Sequence, residues 1–434
     1  MANIVLINPP WTFYPGSNGR PGSVPIHVLT AASAFINTYH HVDIIDCTGR
    51  GASSRERGDC TDYGYDDNEI RKRLLSIDSP DLIGVSCLWT TQFENAKKCL
   101  RIAKECYPNI PVVIGSHHAS VLPAECLEVG FDTVCVGEIE GIENEIISNK
   151  GIIKNCNPPT DLDNLLWPAY HLVDMESYIN SDVRYHGSPI SGGVPLITSR
   201  GCPYHCSFCT VHLSMGRKWR ANSSEYVHGQ LVHLKHSFGA KHIYFEDDNL
   251  LLDLDRFDRI MDSLGSLSLT WDTPNGVRLD YLSDSMLEKA KESGCIELRV
   301  SPESANQKTL DSFVGKSMSL DPFESVAKKC QSIGLQLCAF WVIGIPGETL
   351  SDIESTLSAA KSAQDNWGVI PRISIATPFP GTDMMNECVE NGWLVKPITP
   401  RSLAAATRFD SLIKTSEFSP EDISKLLEGW CTWK

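Results

Sequence analysis

Ser199-Arg200-Gly201-Cys202-Pro203-Tyr204-His205-Cys206-Ser207-Phe208-Cys209 sets three cysteines at the spacing C-x3-C-x2-C. Cysteine thiolates are the standard protein ligands of cubane iron–sulfur clusters, and three of them leave one iron without a protein ligand. An open metal position is where a substrate or cofactor binds. Cys202, Cys206 and Cys209 therefore read as metal ligands of a catalytic 4Fe-4S cluster rather than of an electron store. The competing reading is a zinc knuckle, which needs a fourth ligand and commonly uses paired C-x2-C elements. No second C-x2-C occurs in the chain.

Outward from this run, Val194-Pro195-Leu196-Ile197-Thr198-Ser199 has the look of the strand that delivers it. Five more strand-like runs follow, at 242–245, 269–272, 296–300, 338–343 and 372–376, with helical stretches such as Ser283 to Ser293 and Asp321 to Ile333 between them. Six such β/α units predict a partial (β/α)6 TIM-like barrel, with functional residues at the carboxyl ends of its strands. Motifs fall at those ends: Glu246-Asp247-Asp248-Asn249, Asn275-Gly276-Val277-Arg278, Ser301-Pro302-Glu303-Ser304, Val342-Ile343-Gly344-Ile345-Pro346-Gly347-Glu348 and Pro378-Phe379-Pro380-Gly381-Thr382.

The cysteine spacing, the aromatic Phe208 before its last member and this series of motifs resemble the radical S-adenosylmethionine (SAM) superfamily. The resemblance implies that the free iron chelates the amino and carboxylate groups of SAM, and that one-electron reduction splits a carbon–sulfur bond to release a deoxyadenosyl radical. It makes Cys202, Cys206 and Cys209 catalytic as well as metal-binding, and gives the other motifs to SAM. Glu246, Asp247 and Asp248 would accept hydrogen bonds from the SAM ammonium, although neither of the usual glycines of that segment is present; a surface acidic turn or metal site is the alternative. Glu303 and Ser304 fall in a segment usually written G-x-E-S-G, here with Ser301 and Ala305 in place of its glycines. Arg278 would pair with a carboxylate, and a structural ion pair stands as its alternative. Val342, Ile343 and Gly344 would offer adenine an apolar wall and a tight turn.

The first third alternates strand-like runs, Ile4 to Ile7, Val42 to Ile45, Leu82 to Ser86, Val112 to Gly115 and Thr133 to Val136, with helix-length segments. This predicts an α/β, doubly wound parallel-sheet (Rossmann-like) domain whose ligand lies beyond the strand ends. Asn8-Pro9-Pro10, Ile44-Ile45-Asp46, Val113-Ile114-Gly115-Ser116-His117-His118-Ala119 and Val136-Gly137-Glu138-Ile139-Glu140 resemble the cobalamin-binding domain that precedes the radical SAM domain in one subgroup of the superfamily. Pro10, Ser116, His117, Gly137 and Glu138 are then candidate cobalamin contacts. No D-x-H-x-x-G element is present, so no histidine is supplied by the motif that coordinates cobalt elsewhere.

The expected layout is a cobalamin-type domain over 1–145, a Pro- and Asn-rich linker over 146–192, the barrel over 193–390 and a short C-terminal tail over 391–434. At 434 residues the chain exceeds the size of one hydrophobic core. The net charge of −16 argues against a nucleic-acid partner, and no apolar run is long enough to span a membrane. Sixteen scattered cysteines without a signal peptide point to a reducing cytoplasm. Cys431, near the terminus, is either a spectator thiol or one that reaches the active site. The resemblance implies methyl transfer from cobalamin to an unactivated carbon or phosphorus of a small-molecule substrate, such as a natural-product intermediate. An external electron donor such as a flavodoxin or ferredoxin would supply the electron. Cobalamin-free radical chemistry (3-amino-3-carboxypropyl transfer, ring formation, rearrangement) and a cobalamin or iron–sulfur sensor are the alternatives.

Overall fold

The computed structural model describes residues 1–15, 23–182, 188, 190–406, 410–428 and 430. Cys431 lies outside them.

Six parallel strands form the N-terminal sheet, in the spatial order His41–Asp46, Asn3–Asn8, Leu82–Ser86, Val112–Gly115, Thr133–Val136 and Gly151–Lys154. The first strand in the chain sits second in space. The order therefore reverses between Asn3–Asn8 and Leu82–Ser86, and a doubly wound sheet opens its ligand crevice at such a point. Ile4, Val5 and Ile7 are all fully buried because helices cover both faces, which is why the strand is an apolar run rather than an alternation. One face packs under Ile26–Asn37 through Val28, Ala32 and Phe35, and the other under Phe93–Cys106 through Phe93, Ala96 and Cys99.

Two features depart from the sequence reading. Gly151–Lys154, inside the stretch expected to be a linker, adds the sixth strand of the sheet. Trp11–Phe13, Ser53–Arg57 and Cys60–Gly64 form a small antiparallel sheet where helix was expected between the first strands. Its hairpin turns on Gly58-Asp59, with Gly58 at φ +65°, a two-residue loop that suits a tight hairpin.

The second sheet is also six-stranded and wholly parallel, and its spatial order is its chain order: Val194–Leu196, His242–Phe245, Thr270–Asp272, Cys295–Glu303, Gln336–Ile343 and Ile370–Ile375. Helices such as Ser224–Phe238, Leu254–Ser266, Asp284–Glu292, Phe323–Ile333 and Leu350–Trp367 alternate with the strands, the arrangement of a partial barrel. Leu350–Trp367 starts on a capping box between Thr349 and Asp352 and ends at Gly368 in the left-handed region. In the C-terminal region Phe418 and Ile423 are buried against Gly344 of the barrel. Among the described residues no helix is long and apolar enough to cross a membrane.

Candidate active site

The cysteine loop is pinned on both flanks. Before it, Asp247 accepts hydrogen bonds from Thr198 N (3.1 Å), Thr198 Oγ1 (2.8 Å) and Ser199 Oγ (2.6 Å). Ser199–Arg200 pairs antiparallel with Arg220–Ala221. Gly201 then turns at φ +81°, and a Cβ there would lie 2.6 Å from the Lys218 carbonyl, so glycine is required. Within the loop, Cys202 N donates to Gly216 O (3.3 Å) and Cys209 N to Cys206 O (3.1 Å). On its far side Ser207 donates through N and Oγ to Val314 O and Phe313 O, both at 2.8 Å, and Phe208 packs on the barrel core. All three cysteines are half-buried. Burial pushes the Cys206 thiol up to about 12 and Cys209 to about 11, so these sulfurs become thiolates when a bound cation stabilises them. Three thiols on one loop supply the donor set for three corners of a cluster. Asn249 Nδ2 lies 3.8 Å from Cys202 Sγ, a donor placed to tune a thiolate ligand. Sequence reasoning weighted its acidic neighbours instead.

The strand-end residues divide by what they touch. Asp247 is buried, and its carboxylate is taken up by Thr198 and Ser199 at the root of the cysteine loop. Asp248 accepts from Gly201 N (3.3 Å), and burial pushes its carboxyl up to about 7. Glu246 is half-buried, and its carbonyl accepts from Asn275 Nδ2 (2.9 Å). The Arg278 guanidinium is bidentate on Asp280 (3.0 and 2.7 Å), donates to Lys316 O and Ser317 O, and stacks 3.7 Å over the Tyr204 ring. Of its two sequence readings, the structure shows the ion pair, and the guanidinium also steadies Tyr204 of the cysteine loop. Ser304 is fully buried and faces Thr356 Oγ1 (3.2 Å), away from the mouth.

Glu303 lies where the strand bulges, at φ +64°, a conformation that a residue with a side chain adopts at a cost. Lys316 Nζ holds both Glu303 Oε1 and Ser301 O at 2.5 Å, which fixes the strained end. Ile343 is buried, Val342 half-buried, and Gly344 turns at φ +76°. Glu348 Oε2 closes this turn by accepting from Ile345 N (2.9 Å), and burial pushes its carboxyl up to about 8 from an ordinary 4.5. The folded chain thus holds the Glu348 proton across a window in which the unfolded chain releases it, so stability is lost as pH rises from about 4.5 to 8. Glu348→Gln is expected to flatten that part of the curve of thermal midpoint against pH. A slope equal to the wild type's would count against this assignment.

Beyond the strand ends of the first sheet lies a cavity of about 190 Å³, open to solvent at its mouth. The helix side chains of Val28, Ala31 and Phe35 and the strand residues Leu6, Gly84 and Val113 make an apolar floor; Ser86, Ser116, Gly137 and Glu138 make the rim; Ile197, Arg200 and Met215 of the barrel form the opposite wall. A Cβ on Gly84 would lie 2.6 Å from Leu6 Cδ2, so glycine keeps this floor open. His27, which the sequence reading passed over, also lines the cavity, and burial pushes its imidazole down to about 4, leaving it neutral. Pro10 lines a smaller adjoining cavity with His27 and Trp89.

His117 and Glu138 prove to be committed to the barrel. Both ring nitrogens of His117 are engaged, Nδ1 with Ser214 Oγ (2.9 Å) and Nε2 with Thr210 Oγ1 (2.8 Å). Glu138 receives Arg200 Nη1 at 2.6 Å and a second guanidinium from Arg220. The lining, an apolar floor cleared by Gly84 under a rim of small residues at Ser116 and Gly137, fits the face of a corrinoid.

Comparison with known proteins agrees with both halves. Residues 25–147 match the B12 binding domain family and residues 196–360 the radical SAM superfamily. The chain is 25% identical to cytidylyl-2-hydroxyethylphosphonate methyltransferase of Streptomyces wedmorensis, over 90% of this chain and 82% of that one. It is 28% identical to an uncharacterized methyltransferase of Pyrococcus horikoshii, over 92% and 85%. Among solved structures it resembles the radical SAM methyltransferase TsrM of Kitasatospora setae with cobalamin and a [4Fe-4S] cluster bound, at a TM-score of 0.70 and 16% identity, over 98% of this chain and 90% of that one.

Proposed function

We propose that this chain, a member of the radical SAM superfamily with a B12-binding domain ahead of its barrel, is a methyltransferase acting on an unactivated carbon or phosphorus of a small molecule. The observation that carries the reading is the shared wall: Arg200, two residues from Cys202, lines the cavity over the first sheet. A methyl carrier in that cavity and a radical source on the cysteine loop would face a common enclosure.

When bound, the cluster and SAM supply one-electron cleavage of a sulfonium, and cobalamin supplies a transferable methyl group. The chain supplies position and dryness. Cys202, Cys206 and Cys209 would hold three irons, with Asn249 donating toward one sulfur. Glu303, held by Lys316, presents an acceptor at the fourth strand's end. The turn from Gly344 to Glu348 would seat adenine, backed by Phe418 and Ile423. Ser116, Gly137 and the apolar floor would seat the corrinoid while excluding water that would quench a radical. Cytoplasmic residence and a flavodoxin- or ferredoxin-type donor follow from the need for a strong one-electron reductant, and the fifteen free cysteines among the described residues suit a reducing compartment.

The likeness to a phosphonate methyltransferase makes short hydroxyalkylphosphonates and their cytidylyl esters the first substrates to offer. Anaerobic enzyme reconstituted with iron, sulfide and cobalamin, given SAM with a deuterated methyl group and a reductant, is expected to form deuteromethyl product, S-adenosylhomocysteine and 5′-deoxyadenosine together. Deoxyadenosine without S-adenosylhomocysteine, with or without cobalamin, would favour chemistry other than methylation. Ala31→Trp fills the cavity floor, and overpacking of about 1–3 kcal/mol corresponds to about a 5- to 150-fold loss of cobalamin affinity. Cluster content, read from iron and sulfide, is expected to stay at the wild-type level.

A further inference from the structure

The cysteine loop is gripped at both ends by the first sheet. At its leading end Arg200 Nη1 donates to Glu138 Oε2 (2.6 Å) and Nη2 to Glu140 Oε1 (2.9 Å). Arg220, paired with Arg200 across the short antiparallel ladder, also holds Glu138, and it donates to Pro159 O (2.7 Å). At the trailing end Thr210, next to Cys209, and Ser214 take the two nitrogens of His117. The Arg200, Glu138, Glu140 and Arg220 side chains are 14%, 3%, 7% and 4% exposed, so water does not replace these bonds.

His117 follows Ser116, and Glu138 follows Gly137; both of those neighbours line the cavity over the first sheet. The residues that grip the cysteine loop are therefore adjacent to, or part of, the rim on which a corrinoid would rest. A ligand that settles on the rim restricts the grip, and a cluster that closes the loop restricts it from the other side.

We infer that this two-ended grip couples the cofactors energetically: cobalamin and the cluster each raise the protein's affinity for the other, with His117, Glu138 and Glu140 acting as positioning residues. The inference rests on the cofactor reading above. Ordering the loop for one ligand removes part of the entropy cost of ordering it for the second, and the coupling is reciprocal.

The test measures hydroxocobalamin affinity before and after anaerobic cluster reconstitution, in the wild type and in a Thr210→Val, Ser214→Ala double variant. In the wild type the cluster is expected to tighten cobalamin binding by a factor in the usual coupling range of about 5- to 150-fold. In the variant, which keeps the leading end and loses the trailing one, the factor at matched iron and sulfide content is expected to fall clearly below the wild type's. A merely structural role would lower the thermal midpoint and leave the factor intact. That result, or a wild-type factor of one, overturns the coupling, whereas absence of cobalamin binding in every state overturns the cofactor reading and the coupling with it. Hydrogen exchange of the cluster-free wild type gives a check that needs no variant: added cobalamin is expected to slow exchange of the amides in 199–215, and unchanged exchange there overturns the proposal.

Discussion

Alanine at Cys202, Cys206 or Cys209, introduced singly, is expected to leave a folded, colourless protein that neither retains iron and sulfide nor cleaves SAM. Loss of a residue that only supports a metal ligand costs roughly 10–100-fold in metal affinity or activity, and loss of a ligand itself is expected to exceed about 100-fold. The fold should survive because the loop is held by bonds that do not involve these sulfurs: Asp247 on Thr198 and Ser199, Arg278 on Tyr204, and Ser207 on Phe313 and Val314. Visible absorption, iron content and deoxyadenosine formation measure the loss, and far-ultraviolet circular dichroism measures the survival. A single alanine variant that kept a full cluster and turned over would remove that cysteine from the ligand set.

Glu138→Ala is expected to give the largest loss of stability among single substitutions outside the two apolar cores. It strips a buried partner from two guanidiniums, and breaking a buried pair costs about 3–5 kcal/mol because a charge is left uncompensated. Arg200 retains Glu140 at 2.9 Å, so the orphaned charge falls mainly on Arg220, which keeps only carbonyl partners. Glu138→Gln retains an acceptor and the volume, and should fall between alanine and wild type. Disrupting an exposed pair such as Lys328 with Glu324 should barely move the denaturation midpoint. Urea titration ranks the four proteins; a Glu138→Ala midpoint equal to that of the exposed-pair variant would show that the buried network carries no net stability.

Much of the architecture was legible in the chain. The strands at 4–7, 82–86, 112–115 and 133–136 announced themselves because they are buried on both faces and so carry short, mostly apolar β-rich runs instead of an alternation. The barrel strands did so by position, each ahead of a turn motif. Gly151–Lys154 did not, being four residues long with one buried side chain, and neither did the small antiparallel sheet, whose outer strand is Ser-Ser-Arg-Glu-Arg. Short strands at an exposed edge have too little apolar pattern to separate them from loops.

The same division holds in the site. Cysteine spacing, the glycines that turn in the left-handed region and the apolar strand cores depend on neighbours within a few residues, so the sequence by itself determined the cysteine loop, the turn from Gly344 to Glu348 and most strands of the two parallel sheets. Whether Glu138 and His117 meet a cofactor or a barrel residue, whether Arg278 reaches a ligand or Asp280, and that Asn249 rather than Asp247 approaches a cysteine were decided only by tertiary structure. For His117, Glu138 and Asn249 those outcomes depend on which charges and donors become neighbours across 47 to 97 residues of chain; Arg278 lies two residues from Asp280, but the Lys316 and Ser317 carbonyls that hold it there come from 38 and 39 residues away.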